Sequence, residues 1–390
     1  MKQQKIIPYG RQHITEEDIQ AVVETLRSDF LTQGPKIAKF EEKFAQYVGV
    51  RHAVAVANGT AALHLAAMAL NVKPKDRVIV PPTTFIASAN CVKYCGAEVV
   101  FCDINAEDYL LDLNKLEQML KDKPKGYYKG IIPVDFAGYP VHGETLQKLA
   151  AAYGLWIIED ACHAPGAYFL DAHGEKQMTG NGKFADLTCF SFHPVKHIAT
   201  AEGGMITTNS KDLYEHLLSL RTHGIIKTPD KLKECHGGWY YEMQTLGYNY
   251  RLTDIQAALG ISQLQRAAQR LEQRQMIAKR YDEAFNNLEG VVAPKVRKDV
   301  FHAYHLYVIQ VKNRLQLYDY LRSNSIFSQV HYIPVHLHPY YQQLGSKKGD
   351  MPVAEEFYEH CLSLPIYPTL LEEEQKYVIE KVKECIVNES

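Results

Sequence analysis

Hydrophobic positions along the chain recur with two different periods. Thr15 precedes Glu16, Glu17 and Asp18, and apolar residues follow at Ile19, Val22, Val23 and Leu26. Spacings of three and four behind a capping threonine and an acidic first turn predict an amphipathic helix. Pro35 opens a second one, with Ile37, Phe40, Phe44 and Val48 on one face and Gly49 to end it. From residue 53 the pattern changes. Short apolar runs appear at 53–56, 78–80, 99–104, 130–134, 155–158, 187–192 and 204–208. Helix-like stretches such as 61–70, 113–120 and 144–153 lie between the first five. Strands that alternate with helices pair in parallel, so the expected fold is α/β, with one mixed, mostly parallel sheet of about seven strands.

Residues 253–287 have helical periodicity with few breakers and lead out of this region. After Pro294 the pattern predicts a strand at 305–311, a helix at 315–322, a second strand at 328–332 and terminal helices. The expected organisation is an N-terminal arm and large domain over 1–252. A linking helix and a smaller α+β domain follow over 253–390.

Composition removes several function classes. Lys+Arg number 43 and Asp+Glu 45, a formal charge of −2 with no basic block, which argues against nucleic-acid binding. No apolar run approaches about 18 residues, so no membrane-spanning helix is expected. The first residues lack the apolar stretch of a signal peptide. Eight cysteines in 390 residues are too sparse for a disulfide scaffold and form no CxxC pair. A cytoplasmic protein with reduced thiols is the expectation.

Four segments carry candidate chemistry. Gly180-x-Gly182-x-x-Ala185 matches a dinucleotide-binding pattern, but a strand-like run follows it where a helix is required, and no strand is expected before it. Asn58-Gly59-Thr60 sits between an apolar strand and an apolar helix, where free N–H groups and the helix dipole make an anion cup. Glu159-Asp160 ends an apolar strand, the edge at which open α/β sheets bind ligands. Of this pair, only one carboxylate can face a given side of the sheet. Phe190-Ser191-Phe-His193-Pro-Val-Lys196 follows another strand and places a lysine among aromatics and glycines, where it can be desolvated and nucleophilic. An anion cup, a strand-end acid and a lysine fit pyridoxal 5′-phosphate. The lysine would bind the cofactor covalently and the acid would keep its ring nitrogen protonated. Phe85, just past another strand, could stack on the ring. His331, His336 and His338 lie in a proline-rich segment without metal-ligand spacing. No metal is expected there; they are better read as walls of a cleft.

These segments make the chain recognisable over nearly its whole length. Leu31-Thr-Gln-Gly-Pro35, Asn58-Gly-Thr60, Glu159-Asp-Ala-Cys-His-Ala164, Phe190–Lys196, Glu202-Gly-Gly204 and Gly247–Gln256 together resemble the DegT/DnrJ/EryC1/StrS family of sugar aminotransferases. The resemblance implies the type I aminotransferase fold and pyridoxal 5′-phosphate as cofactor. It also implies a homodimer with shared active sites. Lys196 and Asp160 would be catalytic, with His163 near the ring oxygen and Phe85 stacked on the ring. Gly59, Thr60 and Ser191 would hold the phosphate, and Asn249 would reach it from the other subunit. Gln33, His193, Arg251, His331 and Tyr332 are the side chains expected to meet substrate. The segments 7–12, 28–34 and 190–196 look most like the branch that makes the 4-amino sugar of the pseudaminic-acid pathway. That branch moves an amino group from glutamate to C4 of a UDP-linked 4-keto-6-deoxy-N-acetylhexosamine.

Departures and rivals bear on the sugar. The phosphate turn is Asn-Gly-Thr where the branch often has Asn-Ser-Ala-Thr, which leaves room for another nucleotide-linked keto sugar, aminated at C3 or C4 and carried on dTDP or GDP. No arginine follows Arg322 to bind an α-carboxylate, which favours a sugar acceptor. A related dehydratase branch has histidine in place of the lysine, and Lys196 argues against it. A cofactor-binding transcriptional regulator would be expected to carry an added DNA-binding segment, and none precedes residue 50.

Overall fold

The computed structural model describes residues 6–387. The expected N-terminal helices form, as α1 (Glu16–Leu26) and α2 (Pro35–Val48). Gly49 ends α2 in the left-handed region at φ 77°. Ile37, Phe40, Phe44 and Val48 are buried as the spacing predicts, each contributing roughly 1.5–3 kcal/mol relative to exposure.

In α1 the apolar face behaves differently. Ile19 and Leu26 are 47% and 55% exposed, whereas Asp18 and Thr25 are buried. Asp18 caps the helix through Thr15 N–H at 3.0 Å. It also accepts from Gln263 Nε2 at 2.7 Å and Arg266 Nη2 at 2.5 Å. A buried, charge-paired carboxylate fixes the roll of the helix, and the hydrophobic stripe therefore faces outward.

The seven apolar runs become the seven strands of one sheet. They are β1 (His52–Val56), β2 (Arg77–Val80), β3 (Glu98–Phe101), β4 (Gly130–Ile131), β5 (Trp156–Asp160), β6 (Leu187–Ser191) and β7 (Gly204–Thr208). Their order is β1-β7-β6-β5-β4-β2-β3. Only β7 is antiparallel to its neighbours. This is the type I aminotransferase fold, with β1, β2, β5 and β6 ending on the same edge. Helices α3 (Gly59–Ala69) and α4 (Ala87–Tyr94) follow β1 and β2, and α3 contributes to the main core on one face.

The C-terminal part departs from expectation in two places. Residues 253–287 form two helices, Asp254–Leu264 and Ala267–Phe285, with a break at Gln265–Arg266. The first of these packs on α1 and α2. Residues 328–332 are not a strand. The strand there is the two-residue Ile326–Phe327, paired with Ile7–Pro8, and the following segment meets Cys361–Leu364 through an isolated backbone bridge at Gln329–Ser363 and a side-chain contact between His331 and Ser363. Cys361–Leu364 is the unforeseen strand. It pairs with Tyr307–Val311, and 328–332 lines a cavity instead of forming the expected strand. Gly180 is preceded by a short hairpin strand, Lys176–Met178, but is followed by β6 and not by a helix. Among the described residues, no helix is long and apolar enough to cross a membrane.

Candidate active site

Strand ends and one helix start meet around a cavity of about 720 Å³ at the carboxyl edge of the sheet. β5 delivers Asp160, which is 5% exposed. Its Oδ2 accepts from Ser88 Oγ at 2.6 Å and its Oδ1 from Cys162 N–H at 3.2 Å. Ser88 Oγ also lies 2.7 Å from Thr84 Oγ1. The strand alternation sends Glu159 to the other side, where Thr188 Oγ1 donates to it at 2.8 Å. Burial pushes the Glu159 carboxyl up to about 7.

β6 ends at Ser191, and the chain turns through His193 to Lys196. Lys196 is half-buried against the cavity, with Nζ 3.5 Å from His305 Nε2. Burial pushes its ammonium down to about 8, and the charge of Asp160 partly offsets the fall. An amine so shifted has a much larger neutral fraction at physiological pH than an ordinary lysine, as nucleophilic and proton-transfer roles require.

His163 lies just beyond β5. Its Nδ1 accepts from Ala137 N–H at 3.2 Å, and its Nε2 is 3.1 Å from the Tyr332 hydroxyl. Burial, with Lys196 adding to it, holds the imidazole well below its ordinary pKa, so the ring is neutral and its proton sits on Nε2. Burial pushes the Tyr332 hydroxyl upward.

The turn after β1 starts α3. Asn58 Oδ1 caps the helix by accepting from Ala61 N–H at 2.8 Å. Gly59 leaves space that no other residue would. A Cβ there would meet Ser191 Cβ at 2.9 Å and Ser191 Oγ at 3.3 Å. Gly59, Thr60 and Ser191 thus face one corner of the cavity together.

Gly59, Thr60, Phe85, Asp160, His163, Ser191, His193, Lys196, His331, Tyr332 and His338, all selected from the sequence, line this cavity. Phe85 is 55% exposed at the rim, its ring centroid 6.2 Å from that of Tyr332. Gln33, Asn249 and Arg251 do not line it. Gln33 and Asn249 are exposed, and the backbone of Arg251 bridges Val56 of β1. The histidines of 331–338 diverge. His331 Nδ1 is 2.8 Å from Ser363 Oγ, His336 Nε2 is 2.9 Å from Glu355 Oε1, and His338 turns to the cavity. Sequence reasoning missed Thr84, Ser88 and His305. Thr84 and Ser88 had a signal, two hydroxyls four apart at a strand-to-helix turn. His305 had none, because it enters the site from the C-terminal part of the chain.

Comparison with known proteins extends this geometry. The sequence profile of the DegT/DnrJ/EryC1/StrS aminotransferase family matches residues 12–383. The spore coat polysaccharide biosynthesis protein SpsC of Bacillus subtilis is 39% identical, over 99% of this chain and 98% of that protein. The UDP-4-amino-4,6-dideoxy-N-acetyl-beta-L-altrosamine transaminase of Campylobacter jejuni (strain 81-176) is 37% identical, over 97% and 99%. Spr1654 of Streptococcus pneumoniae, solved in its PLP form, superposes with a TM-score of 0.88 at 32% identity, over 98% and 99%. With its strand-end acid, its desolvated lysine and a profile match over nearly its full length, the chain belongs to the DegT/DnrJ/EryC1/StrS aminotransferase family and is a pyridoxal 5′-phosphate-dependent aminotransferase.

Proposed function

We propose that this enzyme moves an amino group from L-glutamate to C4 of a UDP-linked 4-keto-6-deoxy-N-acetylhexosamine, in the synthesis of a pseudaminic-acid-type sugar or a surface glycan. The observation that carries the reading is that Lys196 and Asp160, from different strands, open into one cavity cornered by the start of α3. The donor set fits the cofactor. Gly59 leaves the cradle that a Cβ would fill, Asp160 is a buried acid, and Lys196 is a desolvated amine.

When bound, pyridoxal 5′-phosphate supplies an electron sink for charge developing on the substrate carbon. The residues of the chain do the rest. Gly59, Thr60 and Ser191 bind the phosphate at the N-terminus of α3. Asp160, held by Ser88, keeps a proton on the ring nitrogen by charge. His163, its orientation set by Ala137 N–H, would turn its Nε2–H from the Tyr332 hydroxyl to the ring oxygen. Phe85 covers the ring from the rim. Lys196 would hold the cofactor between turnovers; when free, its amine would carry the proton between the substrate carbon and the C4′ carbon of the cofactor. His193, His331 and Tyr332 meet the sugar.

Gln33, Arg251 and Asn249 belong to this reading only in a homodimer, where they serve the partner's cavity. The outward apolar side chains of α1 support that assembly, as do Phe30 and Leu31, which are 52% and 48% exposed.

The test is an assay of purified protein with glutamate against UDP-, dTDP- and GDP-linked keto sugars, with products identified by NMR. A C4-amino product from the UDP sugar alone supports the proposal, and a C3-amino product rejects it. The similarity to SpsC favours a second reading, amination of another nucleotide-linked sugar for a cell-surface polysaccharide, which turnover of a dTDP or GDP sugar would select.

A further inference from the structure

His305 is the one side chain within hydrogen-bond reach of the Lys196 amine, at 3.5 Å, among the contacts of the described residues. It arrives there under constraint. Tyr304, immediately before it, has φ 46°, in the left-handed region that a bulky residue avoids. Arg274, fully buried, donates from Nη1 to the carbonyls of Tyr304 at 2.9 Å, Ile366 at 3.1 Å and His305 at 3.4 Å. A buried guanidinium and a strained backbone together hold one imidazole at one angle.

The charged and titratable groups facing this ring come from three elements. His163, from the loop after β5, lies 4.3 Å away between ring centroids. His197 and Lys196 come from the loop after β6, with the His197 ring at 5.8 Å. Arg274 comes from the helix Ala267–Phe285. No carboxylate contacts the ring among the described residues. Burial, reinforced by Lys196 and its neighbours, holds His305 well below its ordinary pKa.

The tautomer follows from the other nitrogen. His305 Nδ1 is buried and has no hydrogen-bond partner. Were Nε2 to accept from a lysine ammonium, Nδ1 would carry the proton, and a buried N–H would be orphaned. An unpaired donor is the rarer of the two defects in native structures. Beside the uncharged Lys196 amine, which can accept, the proton therefore sits on Nε2. We infer that His305 is a positioning residue for Lys196: its Nε2–H donates to the lone pair of the free amine, keeping that amine unprotonated and beside the cavity while the cofactor carries the amino group.

The inference rests on Lys196 being the lysine that binds the cofactor, and the test separates the two. Holoenzyme is converted to its amino form with glutamate, which frees Lys196. Acetylation of Lys196 is then followed against pH by peptide mass spectrometry. In His305→Ala, loss of the donor and entry of water both favour the ammonium, so the midpoint rises by about one unit, roughly tenfold less free amine at a given pH. In His305→Gln, whose amide N–H reaches the same place, the midpoint stays within about 0.3 units of wild type. Turnover follows the same order: His305→Ala loses about tenfold in kcat with KM changed less than twofold, and His305→Gln recovers most of it. An unmoved midpoint in His305→Ala, or an equal shift in both variants, overturns the inference. Nitrogen NMR of wild-type enzyme labelled at histidine needs no variant. A proton on Nδ1, or titration near about 6.5, overturns it as well. Activity retained by Lys196→Ala would instead reject the site assignment itself.

Discussion

Ser88 Oγ donates a 2.6 Å hydrogen bond to Asp160 Oδ2 from 72 positions earlier in the chain. It joins the first residues of α4 to the end of β5 and fixes the carboxylate with one oxygen tied to α4 and the other to Cys162 N–H. If Asp160 holds a cofactor proton by charge, its orientation matters as much as its presence. Removing a hydrogen bond to a charged group costs about 1.5–3 kcal/mol.

Ser88→Ala is therefore expected to lower kcat by about tenfold, with cofactor still bound. Asp160→Asn should lower it by about 10²-fold or more, because an amide cannot hold the proton by charge. Steady-state kinetics beside the visible absorbance of the bound cofactor measures both. Equal rates in Asp160→Asn and wild type would leave Asp160 as an acid that only caps the turn at Cys162.

Lys196→Ala should abolish covalent attachment. After borohydride reduction, the wild-type peptide containing Lys196 should carry the mass of the cofactor, and the variant should carry none at any other lysine. Label on a different lysine in wild type would refute the assignment.

The lowered pKa of Lys196 has a consequence for the cofactor-free protein. The unfolded chain holds this proton up to the ordinary lysine range, and the folded chain releases it near about 8. Burying the ammonium therefore costs stability below about 8, and the cost disappears as pH rises from there to about 10.5. Lys196→Met should stabilise the cofactor-free protein at pH 7, by at most about 3 kcal/mol, with the gain fading across that window. Paired denaturant melts of the two proteins at several pH values test this. A gain that does not change with pH would mean that packing, not the buried charge, causes it.

Much of this architecture is legible in the sequence because it is local. All seven sheet strands and the Asn58 and Asp160 positions follow from apolar runs that end at polar residues. Long-range competition hides the rest. Residues 328–332 have strand character, but it is Cys361–Leu364 that pairs with Tyr307–Val311. The stripe on α1 is correctly periodic, yet the Asp18–Arg266 pair decides which way it faces. His305 is one of many histidines until the backbone held by Arg274 brings it to Lys196.

The exposed Asn249 bears on assembly. In its own chain it lies outside the cavity, and its backbone bridges Thr222. A short aromatic turn carrying one outward amide suits an interface better than open solvent. If the side chain serves the partner's phosphate site, two inactive variants should complement. Asn249→Asp places a negative charge beside the phosphate and weakens cofactor binding, and Lys196→Ala removes the reactive amine. In a mixed dimer, action across the interface puts both defects in one site and leaves the other intact. Activity should then reappear on subunit exchange, approaching about half the wild-type value per mixed dimer. If Asn249 acts within its own chain, each site keeps one defect and mixing restores nothing. Absence of recovery, with exchange verified by native mass spectrometry, would place the whole site within one chain.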